Sequence, residues 1–516
     1  FLSIIGKTCP PLYFPVCFVL YYIIGKNLKI GRRPEKGRFS MRKTKIICTL
    51  GPAVDSEETI RKLILAGMNA ARFNFSHGTH ESHRAQLLKL KRVRDELGAP
   101  VATILDTKGP EIRVRAFADG AVTLERGQAF TLTTDDVPGD GKRVSVTYAN
   151  LHNEVGPGCR ILVDDGLIEL LVQEVLGHEI HCTVENGGAL SSNKSINIPD
   201  VHILLPSLTD KDREDIRFAV ENDFDFIAAS FVRKAGDVED IRAELHKHGG
   251  DDIRIIAKIE NREGADNLNE IIAASDGVMV ARGDLGVEIP AHEVPILQKK
   301  MIKATIRQGK PVITATQMLD SMIRNPRPTR AEVSDVANAV FDGTSCVMLS
   351  GETASGKYPI EALETMVDTV RAAEGAIDYW GRFRESSLLP GVSTISDAIS
   401  HSGCLTAMDL KATAILAATK SGYTAKVISR FRPACPIVAL CQTESARRQL
   451  AVSWGVHPYL SGEVDSTDRM FSLAVEVARK EGAVKPGDTV VITAGVPIGI
   501  SGTTNLIKAQ VVGERL

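Results

Sequence analysis

The chain lacks an excess of charge of either sign. Its 62 lysines and arginines nearly balance its 64 aspartates and glutamates, which leaves a formal net charge of -2 and an isoelectric point near 6.7. Proteins that coat nucleic acid or lie on an anionic membrane carry a strong positive charge. We therefore expect no nucleic-acid partner and no membrane partner, so ligands are recognised by local groups.

The cysteines also lack a metal-binding or disulfide-forming pattern. The nine cysteines form no Cys-x-x-Cys pair and no zinc-like spacing with histidine, and their number is odd. Most of them lie in apolar runs, as free buried thiols in a reducing compartment do. The sequence therefore predicts a cytoplasmic protein.

A well-formed targeting signal is missing from the first forty residues. The apolar run 12–24 is short for a membrane span, and basic residues follow it rather than precede it. Met41, in contrast, is followed at once by a predicted strand. We expect residues 1–40 to be an N-terminal extension outside the fold, with a membrane anchor as the alternative.

A strand-to-helix unit repeats from residue 41 onward. A short β-branched run, a polar cluster and an amphipathic helical stretch recur within residues 41–110 and again within residues 200–372. The two segments together contain eight predicted parallel strands, the number that closes a TIM (β/α)8 barrel. An open doubly wound sheet is the alternative.

Two further segments follow different patterns. Residues 111–199 contain shorter, alternating runs separated by Gly- and Pro-containing turns, which predicts a small all-β domain inserted in the barrel. Residues 385–516 alternate strands and helices again, as a separate C-terminal domain would. The predicted fold class is α/β: a barrel, an all-β insert and a C-terminal α/β domain.

The stretch that ends in Lys258 and Glu260 is the most informative of the predicted strands. An apolar run precedes these two residues, which lie two apart and so share one face of the strand. A surface ion pair is the simple alternative. In a (β/α)8 barrel, however, functional residues lie at the carboxyl ends of the strands. The predicted ends carry these polar residues: Asn74, Ser76, Asp106, Thr107, Lys258, Glu260, Asp284, Thr316, Ser350 and Glu352.

These residue types favour bound cations and a phosphorylated substrate, although several of them could instead cap helices. Glu260 and Asp284 follow adjacent strands, and two carboxylates with room for waters and substrate oxygens suit Mg²⁺. A second group carries one carboxylate among neutral oxygens, which suits a monovalent ion; it comprises Asn74, Ser76, Asp106 and Thr107. With Arg72 and Lys258 nearby, the set indicates a metal-assisted reaction on a small anionic, phosphorylated substrate.

Seven motifs, in order along the chain from about Met41 to the C-terminus, closely resemble pyruvate kinase. They are Lys45-Ile46-Ile47-Cys48-Thr49-Leu50-Gly51-Pro52, Ala71-Arg72-Phe73-Asn74-Phe75-Ser76-His77-Gly78, Leu105-Asp106-Thr107-Lys108-Gly109-Pro110-Glu111-Ile112-Arg113, Ala257-Lys258-Ile259-Glu260-Asn261, Met279-Val280-Ala281-Arg282-Gly283-Asp284-Leu285-Gly286, Ala315-Thr316-Gln317-Met318-Leu319 and Met348-Leu349-Ser350-Gly351-Glu352-Thr353-Ala354. The family's layout is a barrel with an inserted β lid and an α/β C-terminal domain, as predicted here.

The resemblance implies an enzyme that transfers the phosphoryl group of phosphoenolpyruvate to ADP, giving pyruvate and ATP in the last step of glycolysis. Glu260 and Asp284 would bind Mg²⁺ or Mn²⁺. Potassium would be bound by Asn74, Ser76, Asp106 and Thr107, and potassium-dependent members of the family have a glutamate where Glu111 stands.

The resemblance also implies roles for the remaining site residues. The catalytic residues would be Lys258, Arg72, Thr316 and Ser350. Substrate would be bound by Arg72, Lys258, Ala281, Gly283, Asp284 and Thr316. The backbone of Ala281, Gly283 and Asp284 would seat the substrate carboxylate. Nucleotide contacts would come from Thr49, Pro52, His77, Arg113 and Lys194, although a packing or capping role is the alternative for His77.

A loop in the C-terminal domain resembles the family's effector-binding loop. It consists of Thr419, Lys420, Ser421, Gly422, Tyr423 and Thr424, whose hydroxyls and glycine precede a predicted helix and could bind an anion. A sugar phosphate or AMP is the expected effector, and a plain helix-start loop is the alternative. The family also implies a homotetramer.

Two other functions compete with phosphoryl transfer. A Mg²⁺-dependent lyase or aldolase of the pyruvate-enolate class would use the same barrel and carboxylates, but it needs neither Lys258 nor a nucleotide lid. A non-catalytic protein on this fold would be expected to lose some of Arg72, Lys258, Glu260 and Asp284, and all four are present.

Overall fold

The structure is a computed structural model that describes residues 42–387, 394–498, 500 and 502–514. The expected N-terminal extension, residues 1–40, lies outside the described residues. Among the described residues, no helix combines the length and the apolar character needed to cross a membrane.

Eight parallel strands close into a barrel. The first and the last of them, Lys45–Leu50 and Cys346–Leu349, pair with each other and so complete the ring. This closure confirms the predicted (β/α)8 barrel and excludes the open doubly wound sheet. In chain order the strands are Lys45–Leu50, Ala70–Asn74, Ala102–Asp106, Phe226–Ala229, Arg254–Ile259, Gly277–Ala281, Val312–Ala315 and Cys346–Leu349.

Helices follow the strands, and the longer ones bury an apolar face, as Glu57–Ala66, Val294–Arg307 and Pro359–Gly375 do. Thr329 and Glu332 form a capping box: the Thr329 hydroxyl accepts a hydrogen bond from the Glu332 N–H, and the Glu332 carboxylate accepts one from the Thr329 N–H at 2.7 Å. The α-helices of this part are Glu57–Ala66, His80–Leu97, Asp210–Glu221, Ala235–Lys247, Arg262–Asp266, Leu268–Ala274, Arg282–Glu288, Val294–Arg307, Arg330–Asp342, Gly351–Ala354, Pro359–Gly375 and Tyr379–Ser387. Short 3-10 helices span Pro52–Val54, Leu151–Asn153, Asp320–Ile323 and Leu450–Val452.

The insert is all β, as expected, and has its own apolar core. A seven-stranded sheet and a two-stranded sheet form it. Its strands are Ile112–Arg113, Ala121–Leu124, Ala129–Thr133, Arg143–Ser145, Arg160–Val163, Ile168–Leu176, Glu179–Asn186, Gly188–Ser191 and Ser195–Asn197. The strand Ile168–Leu176 has a weak sequence signal, because glutamine and glutamate side chains at its exposed positions interrupt the apolar run.

The C-terminal part contains a five-stranded sheet with four parallel strands and one antiparallel edge strand. Its strands are Ala414–Thr419, Ile437–Cys441, Val456–Leu460, Thr489–Ala494 and Leu506–Val511, and its helices are Ile395–Asp409, Tyr423–Arg430, Glu444–Gln449 and Thr467–Lys480. The two edge strands of this sheet are Val456–Leu460 and Leu506–Val511. The first contains His457 and Pro458, and proline is tolerated in a sheet mainly at its edge.

The C-terminal part enters the amino-terminal end of the barrel. Ala451 and Val452 belong to the apolar cluster that fills the barrel interior, together with residues of all eight strands. Two polar contacts accompany them: Gly455 N–H donates to the Lys43 carbonyl at 2.8 Å, and Lys45 Nζ donates to the Val456 carbonyl at 2.6 Å. The amino-terminal end of the barrel is thus covered, and the opposite end forms the site.

Candidate active site

Lys258 carries a buried ammonium at the carboxyl end of the strand Arg254–Ile259. Its Nζ lies 2.9 Å from Asp106 Oδ1, 2.9 Å from Glu260 Oε1 and 2.7 Å from Ser230 Oγ. Burial alone would lower the pKa of Lys258, but the carboxylates of Asp106 and Glu260 raise it above its usual range. The ammonium therefore stays charged, and the surface ion pair is excluded because Lys258 and Glu260 are both buried.

Asp106 orients the two cations of the site. Its Oδ2 accepts a hydrogen bond from Arg72 Nε at 2.6 Å, while its Oδ1 binds Lys258. Burial alone would raise the pKa of Asp106, but the charges of Arg72 and Lys258 together hold it below its usual range. Arg72 Nη1 also donates to Thr49 Oγ1 at 3.1 Å. One ionised carboxylate thus directs a guanidinium and an ammonium to the same place.

Glu260 and Asp284 provide the carboxylates expected for a divalent ion. Burial raises the pKa of Glu260 to about 7, with Lys258 opposing and Asp284 adding to the effect, and burial also raises the pKa of Asp284. Two neighbouring carboxylates that resist ionisation together are what a divalent cation would stabilise. Among the described residues, no group of three or more His, Cys, Asp and Glu side chains has metal-binding geometry. The donor set of the pair, two carboxylates, fits Mg²⁺ by its own chemistry, since that ion usually completes its shell with waters and substrate oxygens.

The residues expected at a monovalent-ion site lie on neighbouring strands and the loops that follow them. Asn74 and Asp106 face each other in the strand register, and Asn74 Oδ1 accepts a hydrogen bond from the Ser76 N–H at 3.2 Å. Thr107 Oγ1 accepts one from the Ser230 N–H at 3.2 Å. Neutral oxygens around a single carboxylate are thus gathered at one edge of the site.

Thr316 adopts a backbone conformation that is strained for a β-branched residue, with φ of 68°. Its Oγ1 accepts a hydrogen bond from the Gly283 N–H at 2.7 Å, and Arg282 Nη2 donates to its carbonyl at 2.7 Å. These contacts hold Thr316 over the first turn of the helix Arg282–Glu288, whose N-cap residue, Ala281, forms no side-chain capping hydrogen bond of its own. Thr316, Gly283 and Asp284 are therefore brought together, as predicted.

Ser350 presents a buried hydroxyl that has no hydrogen-bond partner among the described residues. Its N–H is bound by Glu352 Oε2 at 2.7 Å, and Glu352 Oε1 accepts from the Leu319 N–H at 3.0 Å. Burial raises the pKa of Glu352. Because a buried hydroxyl without a partner is costly, the Ser350 Oγ is available to a water or a substrate.

Two predicted nucleotide contacts line a cleft of about 750 Å³ between the insert and the barrel mouth. Arg113 and Lys194 lie on the insert side, and Asp284 lies on the barrel side. Each cation already has an acidic partner: Arg113 Nε lies 2.6 Å from Glu111 Oε2, and Lys194 Nζ lies 2.8 Å from an Asp164 oxygen.

The other three predicted nucleotide contacts do not line that cleft. Pro52 and His77 are exposed and follow the first two barrel strands. Thr49 is buried, and its hydroxyl donates to the Leu349 carbonyl at 2.9 Å. The side chain of Thr49 thus supports Arg72 rather than facing open space.

The predicted effector loop lines a separate cavity of about 60 Å³ in the C-terminal part. The lining includes Thr419, Lys420, Ser421, Tyr423 and Thr424. Gly422 has φ of 85° and precedes the helix Tyr423–Arg430, so it forms the bend of the loop. Thr424 Oγ1 lies 2.9 Å from Thr504 Oγ1, which joins this loop to the one opposite it.

Two residues of the site had no sequence prediction. Ser230 Oγ contacts Lys258, and the Phe231 N–H donates to Glu260 Oε2 at 2.6 Å. Both directly follow the strand Phe226–Ala229. The rule that site residues follow the carboxyl ends of barrel strands would have included Ser230 had it been applied to this strand as well.

The fold and the site define a class: a (β/α)8-barrel enzyme that acts on a phosphorylated anion through a lysine, an arginine and paired carboxylates. Residues 41–363 match the family model described as pyruvate kinase, barrel domain, and residues 397–510 match the one described as pyruvate kinase, alpha/beta domain. The chain belongs to the pyruvate kinase family and is a phosphotransferase.

Curated relatives and a solved structure agree with this assignment. A pyruvate kinase of Clostridium acetobutylicum is 50% identical over 473 residues, which are 92% of this chain and 100% of the relative. One of Geobacillus stearothermophilus is 50% identical over 481 residues, or 92% of this chain and 81% of the relative. The crystal structure of a pyruvate kinase from Cryptosporidium parvum aligns with a TM-score of 0.87 at 39% identity, covering 92% of this chain and 96% of that one. A lyase or a non-catalytic protein is not favoured.

Proposed function

We propose that this enzyme transfers the phosphoryl group of phosphoenolpyruvate to ADP, giving pyruvate and ATP. The observation that carries the proposal is the buried ammonium of Lys258 between Asp106 and Glu260, with Arg72 on the same carboxylate. Preorganised positive charge of this kind stabilises a phosphoryl group in transfer, because it need not be reoriented during the reaction. The reaction is the last step of glycolysis.

Lys258 and Arg72 neutralise the phosphoryl oxygens, and Lys258 also faces the enolate oxygen that forms as the phosphoryl group leaves. Thr316 and the backbone of Ala281, Gly283 and Asp284 seat the substrate carboxylate. With these groups holding the substrate, an ADP oxygen attacks phosphorus in line, and the bond from phosphorus to the enol oxygen breaks.

The enolate then takes a proton at carbon to become pyruvate. Thr316 and Ser350 are the proposed proton-delivering groups, acting through water, because neither hydroxyl is acidic enough to act unaided. The unpartnered Ser350 Oγ supports a bound water at this position. Loss of the enolate makes the overall transfer nearly irreversible.

The proposed cofactors are Mg²⁺ or Mn²⁺, held by Glu260 and Asp284, and K⁺. The residues proposed for K⁺ are Asn74, Ser76, Asp106 and Thr107. Bound there, the two cations would supply positive charge to the phosphoryl and carboxylate oxygens. Proposed nucleotide contacts are Pro52, His77, Arg113 and Lys194, and the buried Thr49 is instead proposed to support Arg72.

An assay of pyruvate formation tests the proposal directly. We expect ADP-dependent pyruvate production from phosphoenolpyruvate when Mg²⁺ and K⁺ are both present, and a large loss when either is withheld. Absence of turnover with both ions present would contradict the proposal. Metal-dependent carbon–carbon cleavage of 2-oxo acids without nucleotide would favour the lyase instead, since such a reaction makes no use of ADP.

The loop 419–424 is proposed to bind a phosphorylated effector, either a sugar phosphate or AMP. We expect one of these ligands to raise the thermal midpoint, because a ligand that binds only the folded state stabilises it. Lys420→Gln should abolish the shift, whereas Lys411→Gln, a change in the same part of the chain but outside the cavity, should keep it. No shift with any ligand of either class would leave the loop as an ordinary helix start.

We further propose a homotetramer that works in the cytoplasm. The seven cysteines in the described part of the chain are all free, which agrees with a reducing compartment. Membership of the pyruvate kinase family supports the tetramer, and sedimentation measures the oligomeric state of this enzyme.

A further inference from the structure

The turn after the strand Phe226–Ala229 is strained where it meets the site. Phe231 has φ of 56°, which is rare and strained for a bulky residue. In this conformation its N–H reaches Glu260 Oε2, and the preceding side chain, Ser230, faces Lys258. Strain of this kind persists only where the surrounding structure enforces it.

The neighbouring loop enforces the turn through close packing. Gly109 has φ of 71°, and a Cβ placed there would lie 2.8 Å from the Cβ of Ser230. The Gly109 N–H is in turn held by Asp212 Oδ1 at 3.0 Å. A glycine is therefore required for the loop to approach Ser230 this closely.

The hydrogen bonds of Ser230 determine which way its hydroxyl points. Ser230 Oγ lies 2.6 Å from the Thr107 carbonyl, which has no hydrogen to give, so the single hydroxyl hydrogen is donated there. The lone pairs of Oγ consequently face Lys258 Nζ at 2.7 Å. The buried Ser230 thus bonds to Thr107 through both its backbone N–H and its side chain, and the lone pairs of its Oγ can accept from the Lys258 ammonium.

We propose that Ser230 is a positioning residue for Lys258 in phosphoryl transfer. The ammonium has three N–H groups and three acceptors, of which Asp106 and Glu260 are charged and Ser230 is neutral. A third carboxylate would hold the lysine equally well but would repel an anionic substrate. Ser230 therefore fixes the direction of the ammonium without adding negative charge. This inference rests on the function proposed above.

Ser230→Ala tests the proposal. We expect kcat for pyruvate formation to fall about ten- to hundredfold, since a hydrogen bond to a charged group is lost and the ammonium is no longer held in one direction. The KM values for phosphoenolpyruvate and ADP should stay within about twofold. A crystal structure of the variant should show Lys258 Nζ displaced while the backbone of residues 226–232 is unchanged.

Ser429→Ala is the matched control. Ser429 is buried to the same degree as Ser230 and also donates from Oγ to a carbonyl, that of Trp454, at 2.6 Å, but it lies away from the site. Both variants should lose similar thermal stability, and only Ser230→Ala should lose kcat. Equal kcat losses in the two variants would identify a merely structural role for Ser230.

Ser230→Cys separates the hydroxyl from the volume it fills. The thiol occupies nearly the same space but is a weak acceptor, so kcat should fall as in the alanine variant. If the alanine variant does not fold, the cysteine variant decides. Retention of wild-type kcat in the folded variant would overturn the role of Ser230 while leaving phosphoryl transfer standing; an inactive wild type would instead refute the proposed function.

Discussion

Replacing Lys258 by Met should reduce kcat for pyruvate formation at least about a hundredfold, because it removes the buried positive charge aimed at the phosphoryl group. The fold-loss in kcat/KM should exceed any fold-change in the Kd for ADP, because ADP makes no proposed contact with Lys258. The measurement is steady-state kinetics with saturating Mg²⁺ and K⁺. The barrel core is untouched, so the variant should fold, with a lower thermal midpoint because Glu260 loses its cationic partner.

Lys310→Met is the control for this prediction. The ammonium of Lys310 also has three oxygen acceptors, the carbonyls of Ile272, Ala273 and Ser275, but it lies away from the barrel mouth. It should lose stability and retain kcat. Full activity in Lys258→Met, or equal loss in both variants, would remove Lys258 from the mechanism.

Replacing Asp106 by Asn should cost both stability and activity. The buried carboxylate pairs with Arg72 at 2.6 Å and Lys258 at 2.9 Å, and its loss leaves two cations facing each other with only Glu260 to compensate them. Breaking one partner of a buried ion pair costs about 3–5 kcal/mol. Denaturant unfolding should show a loss of that order, and kcat should fall by more than tenfold because neither cation keeps its direction.

The pH dependence of this effect has a definite sign. The folded-state pKa of Asp106 is lowered, so its contribution is complete above the ordinary carboxyl range and is lost as the pH falls through the folded pKa. The difference in stability between wild type and Asp106→Asn should therefore be largest near neutral pH and should shrink in acid. A difference that grew toward acid would contradict the charge pairing.

Asp225→Asn is the matched control. Asp225 is as buried as Asp106 and accepts a hydrogen bond from Arg448 Nε at 2.7 Å, but it lies at the amino-terminal end of its strand. It should lose stability, because it gives up its ion pair with Arg448, and it should keep its activity per folded molecule. An equal loss of kcat would mean that activity follows stability alone.

The barrel strands and the residues at their carboxyl ends could be predicted from the sequence because their signals are local in the chain. Strands and helices differ in apolar spacing, and the polar residue after each strand is a local feature of the chain. The edge strand Val456–Leu460 has no such local signal, because His457 and Pro458 interrupt its apolar run and the neighbouring strand Ile437–Cys441 supplies its pairing.

Contacts between distant segments could not be predicted from the sequence. Ser230 follows a barrel strand, which places it at the mouth, but its 2.7 Å contact with Lys258 depends on the pairing of that strand with Arg254–Ile259. Likewise, no sequence pattern separates Arg113 and Lys194, which line the large cleft, from Thr49, which is buried beside Arg72. The orientation of the insert relative to the barrel decides that division.

The entry of Ala451 and Val452 into the barrel base has an evolutionary consequence. The two family segments are consecutive along the chain and could be taken for independent units. Residues of the C-terminal segment nevertheless close the amino-terminal end of the barrel. A recombination event that replaced either segment would combine a C-terminal segment with a barrel interior against which residues 451–452 do not pack. Inheritance of the barrel and its C-terminal partner is thereby linked, and sequence changes at 451–452 are constrained by residues several hundred positions upstream.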